Sequence, residues 1–140
     1  TTLMDAMVGS EVARAEHGGI TQQVNVAEVL LRSEHGWPVT LLDTPGHHHF
    51  FRIREDSASA ADAALLLVAA DEGVCEQTEE CIACLKDMGV PVLAALTKVD
   101  LPEAHLTPAQ LEGQLTSRRL PLAGVLPVAA PCGLGLDALS

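Results

Sequence analysis

Two short stretches bring together residue types that could do chemistry. The first is Asp43-Thr44-Pro45-Gly46-His47, which follows an apolar segment. A carboxylate at a strand end can hold a hydrated Mg²⁺, and a glycine close by lets a backbone N–H approach a terminal phosphate. The second is Thr97-Lys98-Val99-Asp100, again at the end of an apolar segment. Its carboxylate can accept two N–H bonds from a guanine edge, while the lysine stem covers the base plane. Each stretch taken alone also fits an ordinary turn with solvated side chains. Their occurrence at separate strand ends sharpens the nucleotide reading.

Other reactive residues read more simply. His47-His48-His49 are consecutive, and neighbours on a loop or helix start rarely converge on one ion without a fourth ligand. Cys81-x-x-Cys84 could be a redox pair. It falls on an expected helix, where both side chains share one face as small apolar residues. Met4, Met7 and Met88 read as core, and the acidic stretch from Glu76 to Glu80 as a solvated first helical turn.

The elements that must position these residues follow from periodicity and punctuation. Leu3, Met4 and Met7 give a short helix over Thr1 to Met7. Glu16 to Gln22 is a loop around Gly18-Gly19; Val24 to Leu31 is a strand, Glu34 to Gly36 a hairpin turn, and Val39 to Leu42 the next strand. After Pro45-Gly46 a helix is expected over Phe50 to Ser59. Ala63 to Ala70 is a continuous apolar run of strand length, as for a strand buried on both faces. A helix over Glu76 to Met88 ends at Gly89, with Pro91 beyond it. Val92 to Leu96 is a buried strand, and Thr107-Pro108 caps a helix to about Ser117. Val125 to Val128 is the last strand, and a final helix starts at Gly133. Helices alternating with short apolar strands predict an α/β sandwich with a mostly parallel sheet, which binds ligands at the carboxyl ends of its strands.

Gly18-Gly19-Ile20-Thr21-Gln22, Asp43 to His47 and Thr97 to Asp100 occur in the order and rough spacing of a translational GTPase G domain. The chain is most similar to the translation initiation factor 2 family of bacteria and organelles, whose switch I reads G-G-I-T-Q. Phe50, Arg54, the run Val68 to Val74, Gln77-Thr78 and Val90-Pro91-Val92 extend the resemblance. The resemblance is nearly gap-free to about Leu101, looser from Pro102 to Val125, and resumes from Val128 to Leu139. The selenocysteine-specific elongation factor is the nearest rival within the class.

This resemblance implies a P-loop NTPase-like three-layer sandwich, and GTP or GDP with Mg²⁺ as ligands. Thr21 would meet Mg²⁺ and the γ-phosphate, Asp43 would hold Mg²⁺ through water, and Thr44 and Pro45 would line the same loop. The Gly46 N–H would bond the γ-phosphate, and His47 would orient the attacking water as the catalytic residue. Lys98 would pack on the base, Asp100 would select guanine, and Thr97 would tie neighbouring loops. Ala129-Ala130 would offer a backbone N–H to the guanine oxygen. The implied partners are the ribosome and, through domains absent here, initiator tRNA. The implied place is the bacterial cytoplasm or an organellar matrix.

Three departures stand out. Thr97 replaces the family's usual asparagine, so one hydroxyl stands for an amide. Ala129-Ala130-Pro131 replaces Ser-Ala-Lys, losing a hydroxyl and, at Pro131, a backbone donor. The phosphate-cradling G-x-x-x-x-G-K-[ST] loop is not in the sequence. Thr1 aligns with that motif's last residue, which makes it an implied Mg²⁺ ligand. The chain is therefore expected to be a partial G domain over residues 1–140, lacking the first, central strand. A slot in the sheet, low stability and weak nucleotide binding are expected of it as it stands. A degenerate G domain serving as a non-catalytic interaction module is the alternative reading.

Composition agrees with a single globular domain. The 140 residues are 48% hydrophobic and 19% charged, with one Trp and two Phe, so aliphatic residues must build the core. A net charge of −11 gives no broad basic footprint for DNA. No signal peptide or apolar run of about 18 residues supports secretion or membrane spanning, and the four cysteines read as reduced. The chain begins at Thr1 rather than Met and ends inside a helical pattern, so both ends are expected to be cut.

Overall fold

The computed structural model describes residues 1–9, 24–30, 38–45 and 60–139. Its elements are α1 (Thr2–Val8), β1 (Asn25–Leu30), β2 (Pro38–Asp43), β3 (Ala64–Ala69), α2 (Glu76–Met88), β4 (Val92–Thr97), α3 (Pro108–Ser117), β5 (Leu122–Pro127), a 3₁₀ turn (Ala130–Cys132) and α4 (Leu136–Leu139). The expected loop over Glu16 to Gln22, the turn at Glu34 to Gly36 and the helix over Phe50 to Ser59 lie outside the described residues.

The strands form two sheets. β3, β4 and β5 are parallel in that order, while β1 and β2 form an antiparallel pair. Among the described residues β2 and β3 are not hydrogen-bonded to each other. The expected mostly parallel sheet is thus a parallel three-strand sheet and a separate hairpin.

β4 is the centre of the larger sheet, with Val92, Ala94, Ala95 and Leu96 all inaccessible to solvent. One face packs Leu66, Val68, Val92, Ala94 and Leu96 against Ile82 and Leu85 of α2 and Leu111 and Leu115 of α3. Burying each such side chain contributes about 1.5–3 kcal/mol before entropy is counted. On the opposite face α1 sets Leu3 against Ala95 and Val128.

β3 departs from expectation. Leu66 and Val68 face the core, but Leu65 and Leu67 are 39% and 43% exposed. The strand is buried on one face only, because α1 covers Ala95 and Val128 further along the sheet and leaves these leucines uncovered. β5 also begins earlier than expected, at Leu122, because pairing with β4 starts at Val92↔Leu122 and tolerates a register shift before Leu93↔Gly124. The final helix starts at Leu136 rather than Gly133, since Ala130–Cys132 takes a 3₁₀ turn first.

The helices are set by their ends. Thr107 accepts from the Gln110 N–H at 3.3 Å, and Gln110 Oε1 accepts from the Thr107 N–H at 2.9 Å, a reciprocal cap with Pro108 inside the first turn. α2 starts at Cys75, whose N–H donates to Thr78 Oγ1 at 3.3 Å. It stops at Gly89, where a left-handed φ of 66° returns the N–H to the carbonyls of Leu85 and Lys86. Cys81 packs against the core and Cys84 is buried, neither in a disulfide, as small apolar residues on one helix face would be.

Candidate nucleotide and metal site

In-register pairing brings three loops to one edge. Ala69 pairs with Thr97, and Leu96 with Pro127, so the chain leaves β3, β4 and β5 at a common level. Two lateral bonds extend the ladders into the loops: Ala70 N–H to the Thr97 carbonyl at 2.9 Å, and Val128 N–H to the Leu96 carbonyl at 2.8 Å. The edge therefore presents Asp71-Glu72, Lys98 to Asp100, and Ala129-Ala130 side by side.

The middle loop carries Lys98 and Asp100. Lys98 has a left-handed φ of 57°, which costs a residue with a Cβ roughly 1–2 kcal/mol. The Leu101 N–H donates to the Lys98 carbonyl at 3.2 Å and closes a turn that presents Asp100 to solvent. Asp100 makes no hydrogen bond or ion pair among the described residues, so both its oxygens are open to a planar donor pair. Lys98 Nζ lies 3.1 Å from Asp71 Oδ2 and 3.0 Å from Glu72 Oε1. The Thr97 hydroxyl turns back to the Val68 carbonyl at 3.4 Å, a bond to the adjacent strand.

In the third loop the Ala129 N–H donates to the Leu134 carbonyl at 3.0 Å, and the Leu134 N–H returns to Ala129 at 3.2 Å. Gly135 makes this closure possible. Its φ is 76°, and a Cβ there would lie 2.2 Å from the Pro127 carbonyl oxygen. With the Ala129 donor engaged, Ala130 is the member of the pair whose N–H takes part in no backbone bond among the described residues.

The residues expected to meet a metal lie at the start of α1 and the end of β2. Thr1 Oγ1 donates to Asp43 Oδ2 at 2.5 Å. Asn25 Nδ2 approaches Asp43 Oδ2 at 3.4 Å from the paired strand, where Asn25 sits opposite Asp43 in the register. Thr44 is half-buried and Pro45 buried just beyond. A hydroxyl and a carboxylate in contact form an all-oxygen donor set that fits Mg²⁺ better than a softer ion. Among the described residues no cluster of three or more His, Cys, Asp or Glu could hold a metal.

Charge follows the contacts. The hydrogen bonds that Lys98 donates to Glu72 and then Asp71 push it above its ordinary value, and the same Lys98 bond holds Asp71 below the usual carboxylate range. Asp71 Oδ1 is buried and has no hydrogen-bond partner among the described residues.

Of the residues singled out from sequence, the structure brings Thr1 to Asp43, and sets Thr97, Lys98 and Asp100 beside Ala129 and Ala130. Thr21, Gly46 and His47 lie outside the described residues. Sequence reasoning assigned no role to Asn25, Asp71, Glu72 or Gly135. An acidic pair one strand across from a strand-end lysine was the available signal for Asp71 and Glu72.

The family described as "Elongation factor Tu GTP binding domain" matches residues 2–139. The chain is 39% identical over 145 residues to translation initiation factor IF-2 of Parvibaculum lavamentivorans, covering 99% of this chain and 16% of that protein. It is 40% identical over 145 residues to the same factor of Thermus thermophilus, covering 99% of this chain and 24% of that one. Among solved structures, Era in complex with MgGDPNP and a 16S ribosomal RNA segment has a TM-score of 0.79 at 22% identity, over 99% of this chain and 49% of that one. Elongation factor SelB of Methanococcus maripaludis, in complex with the GTP analogue GppNHp, has 0.72 at 23% over 99% and 28%. The chain shares its fold with these solved structures, consistent with a truncated P-loop NTPase fold.

Proposed function

Because the chain belongs to the family of elongation factor Tu GTP binding domains, we propose that it is the GTP-binding and GTP-hydrolysing switch of a translation initiation factor. Such a switch would act on the ribosome, promoting initiator tRNA placement and subunit joining through domains outside this chain. The chain spans 16–24% of the length of the two initiation factors compared above, so those roles belong to a larger protein.

The observation that carries the reading is the edge of the parallel sheet. Lys98 and Asp100 stand there between the Asp71 loop and the Ala129-Ala130 loop, with Asp100 unengaged. In this reading Asp100 accepts from the guanine N1–H and exocyclic amine, and the Ala130 N–H donates to the guanine oxygen. The stem of Lys98 covers the base plane. Thr1 and Asp43, with Thr21, hold Mg²⁺, which would neutralise phosphate charge as the terminal phosphoryl group leaves. Gly46 reads the γ-phosphate, and His47 orients the attacking water. Thr21 and Gly46 respond only to the triphosphate, which makes the domain a switch.

The replacement of Ser-Ala-Lys by Ala129-Ala130-Pro131, and the Thr97 hydroxyl turned onto Val68, favour a second reading. In it the domain has lost hydrolysis and serves as an interaction module. One titration separates the two. The full-length protein carrying this chain is titrated with a fluorescent GTP analogue, with and without Mg²⁺. Binding that tightens with Mg²⁺, and loses this response in Asp43→Ala, is expected of the switch. Absence of guanine-nucleotide binding would reject it in favour of the module. His47→Ala should slow ribosome-stimulated hydrolysis while sparing affinity, and equal loss of both would reject its role.

A further inference from the structure

The Asp71-Glu72 pair belongs to none of the contacts assigned above to guanine, phosphate or Mg²⁺. We propose that Asp71, with Glu72 beside it, is a positioning residue for guanine-nucleotide binding. It holds the Lys98 side chain in place at the sheet edge before the base arrives. The inference rests on the base-covering role of Lys98 given under the proposed function.

Three observations carry it. First, both carboxylates reach one ammonium, at 3.1 and 3.0 Å, although they leave from the end of one strand and the lysine from the next. Second, the acids sit on a stitched turn. The Glu72 and Gly73 N–H groups donate to the Ala69 carbonyl at 3.3 and 2.8 Å, and the Ala70 carbonyl accepts from His105 and Leu106 at 3.1 and 3.2 Å. Third, Asp71 keeps one oxygen buried and unpaired among the described residues while the other meets Lys98. An unpaired buried acceptor is a cost that a small apolar residue would avoid.

Stability alone is a poor account of this cluster. The Lys98 side chain is 44% exposed and that of Glu72 is 63% exposed, and ion pairs in such settings add little to folding. Positioning is a better account. A lysine stem has many rotamers, and fixing it on binding costs affinity unless the fold has fixed it already. The left-handed backbone of Lys98 aims the stem, and the two carboxylates fix its far end.

The test uses the full-length protein and dissociation of a fluorescent GDP analogue. At low salt Asp71→Ala should speed dissociation by about two- to fivefold, the factor an exposed ion pair supports. The difference should shrink toward 0.5 M salt, where the screening length falls to about 4 Å. In a Lys98→Ala background, Asp71→Ala should add nothing, since Asp71 acts through that lysine. A merely structural role would add its loss in both backgrounds and ignore salt. Asp71→Asn, which keeps the shape, should behave like Asp71→Ala and guards against misfolding of the smaller variant. Unchanged or slower dissociation in both variants, or additive losses with Lys98→Ala, would overturn the proposal. A wild-type protein that binds no guanine nucleotide would instead overturn the base-site reading itself.

Discussion

Gly135→Ala should unfasten the loop that carries Ala129 and Ala130. The backbone at Gly135 has φ 76°, and the added Cβ would stand 2.2 Å from the Pro127 carbonyl oxygen and 3.3 Å from Val128 Cα. Backbone atoms cannot swing aside as a flexible side chain does, so the two segments must part by close to 1 Å. The left-handed conformation costs about 1–2 kcal/mol with a Cβ present. Parting the segments strains the paired bonds between Ala129 and Leu134, each contributing about 0.5–1.5 kcal/mol. The expected local loss is roughly 2–4 kcal/mol, which speeds amide exchange at Ala129 and Leu134 by about 30- to 700-fold. Gly113→Ala is the internal control. Gly113 lies mid-way along α3 with open space where its Cβ would go, so the same chemical change should stabilise α3 by about 0.5–1 kcal/mol. Hydrogen exchange read by mass spectrometry measures both. Unchanged protection at Ala129 and Leu134 in Gly135→Ala would refute the argument that this glycine pins the loop.

Three further expectations follow from packing, charge and recognition. Leu111→Ala removes a side chain with no solvent exposure between α3 and the sheet, and should cost about 2–5 kcal/mol in urea unfolding; a loss under about 1 kcal/mol would mean the site collapses around the gap. Arg118 holds Glu79 below its ordinary carboxylate value of 4.5, so the pair's contribution is present above that value and is lost as pH falls through the lowered one. Glu79→Gln should therefore lower the melting midpoint equally at neutral and mildly acidic pH and converge with wild type only in strong acid, whereas a gap that persists there would reject the ion pair as the cause. In the full-length protein Asp100→Asn should exchange guanine for xanthine preference, because the amide offers a donor where the purine now presents an acceptor; guanine selectivity retained in competition binding would remove Asp100 from the base contact.

The two long helices were legible to the residue because their signals are local. Thr107-Pro108 and Gly89 announce ends that depend on hydrogen bonds within one turn. β5 was not, since its start is decided by Leu122 pairing with Val92, 30 positions back, across an irregular register. The burial of β3 was misjudged because an apolar run says that a segment is wanted inside, not which neighbour covers Leu65 and Leu67. The site divides in the same way. Asp43, Lys98 and Asp100 announced themselves by type and by their place after apolar strands. The grip of Asp71 and Glu72 on Lys98 is a contact between separate loops that no spacing encodes, and the need for glycine at 135 arises from the approach of Pro127.

The separation of the hairpin from the parallel sheet has a consequence for cooperativity. β3, α2, β4, α3 and β5 share a core of their own, whereas β1 and β2 pair only with each other among the described strands, and β1 packs beside α1. At its start α1 holds Asp43 through Thr1, and one turn later it seats Leu3 on Ala95 and Val128. A unit held to a larger core by few contacts can open before it. The hairpin and α1 then form the labile unit, and the parallel core the persistent one. Under mild denaturant Thr1 and Asp43 would drift apart while the edge carrying Lys98 and Asp100 stayed assembled, so under the proposed function metal dependence would vanish before base selectivity did.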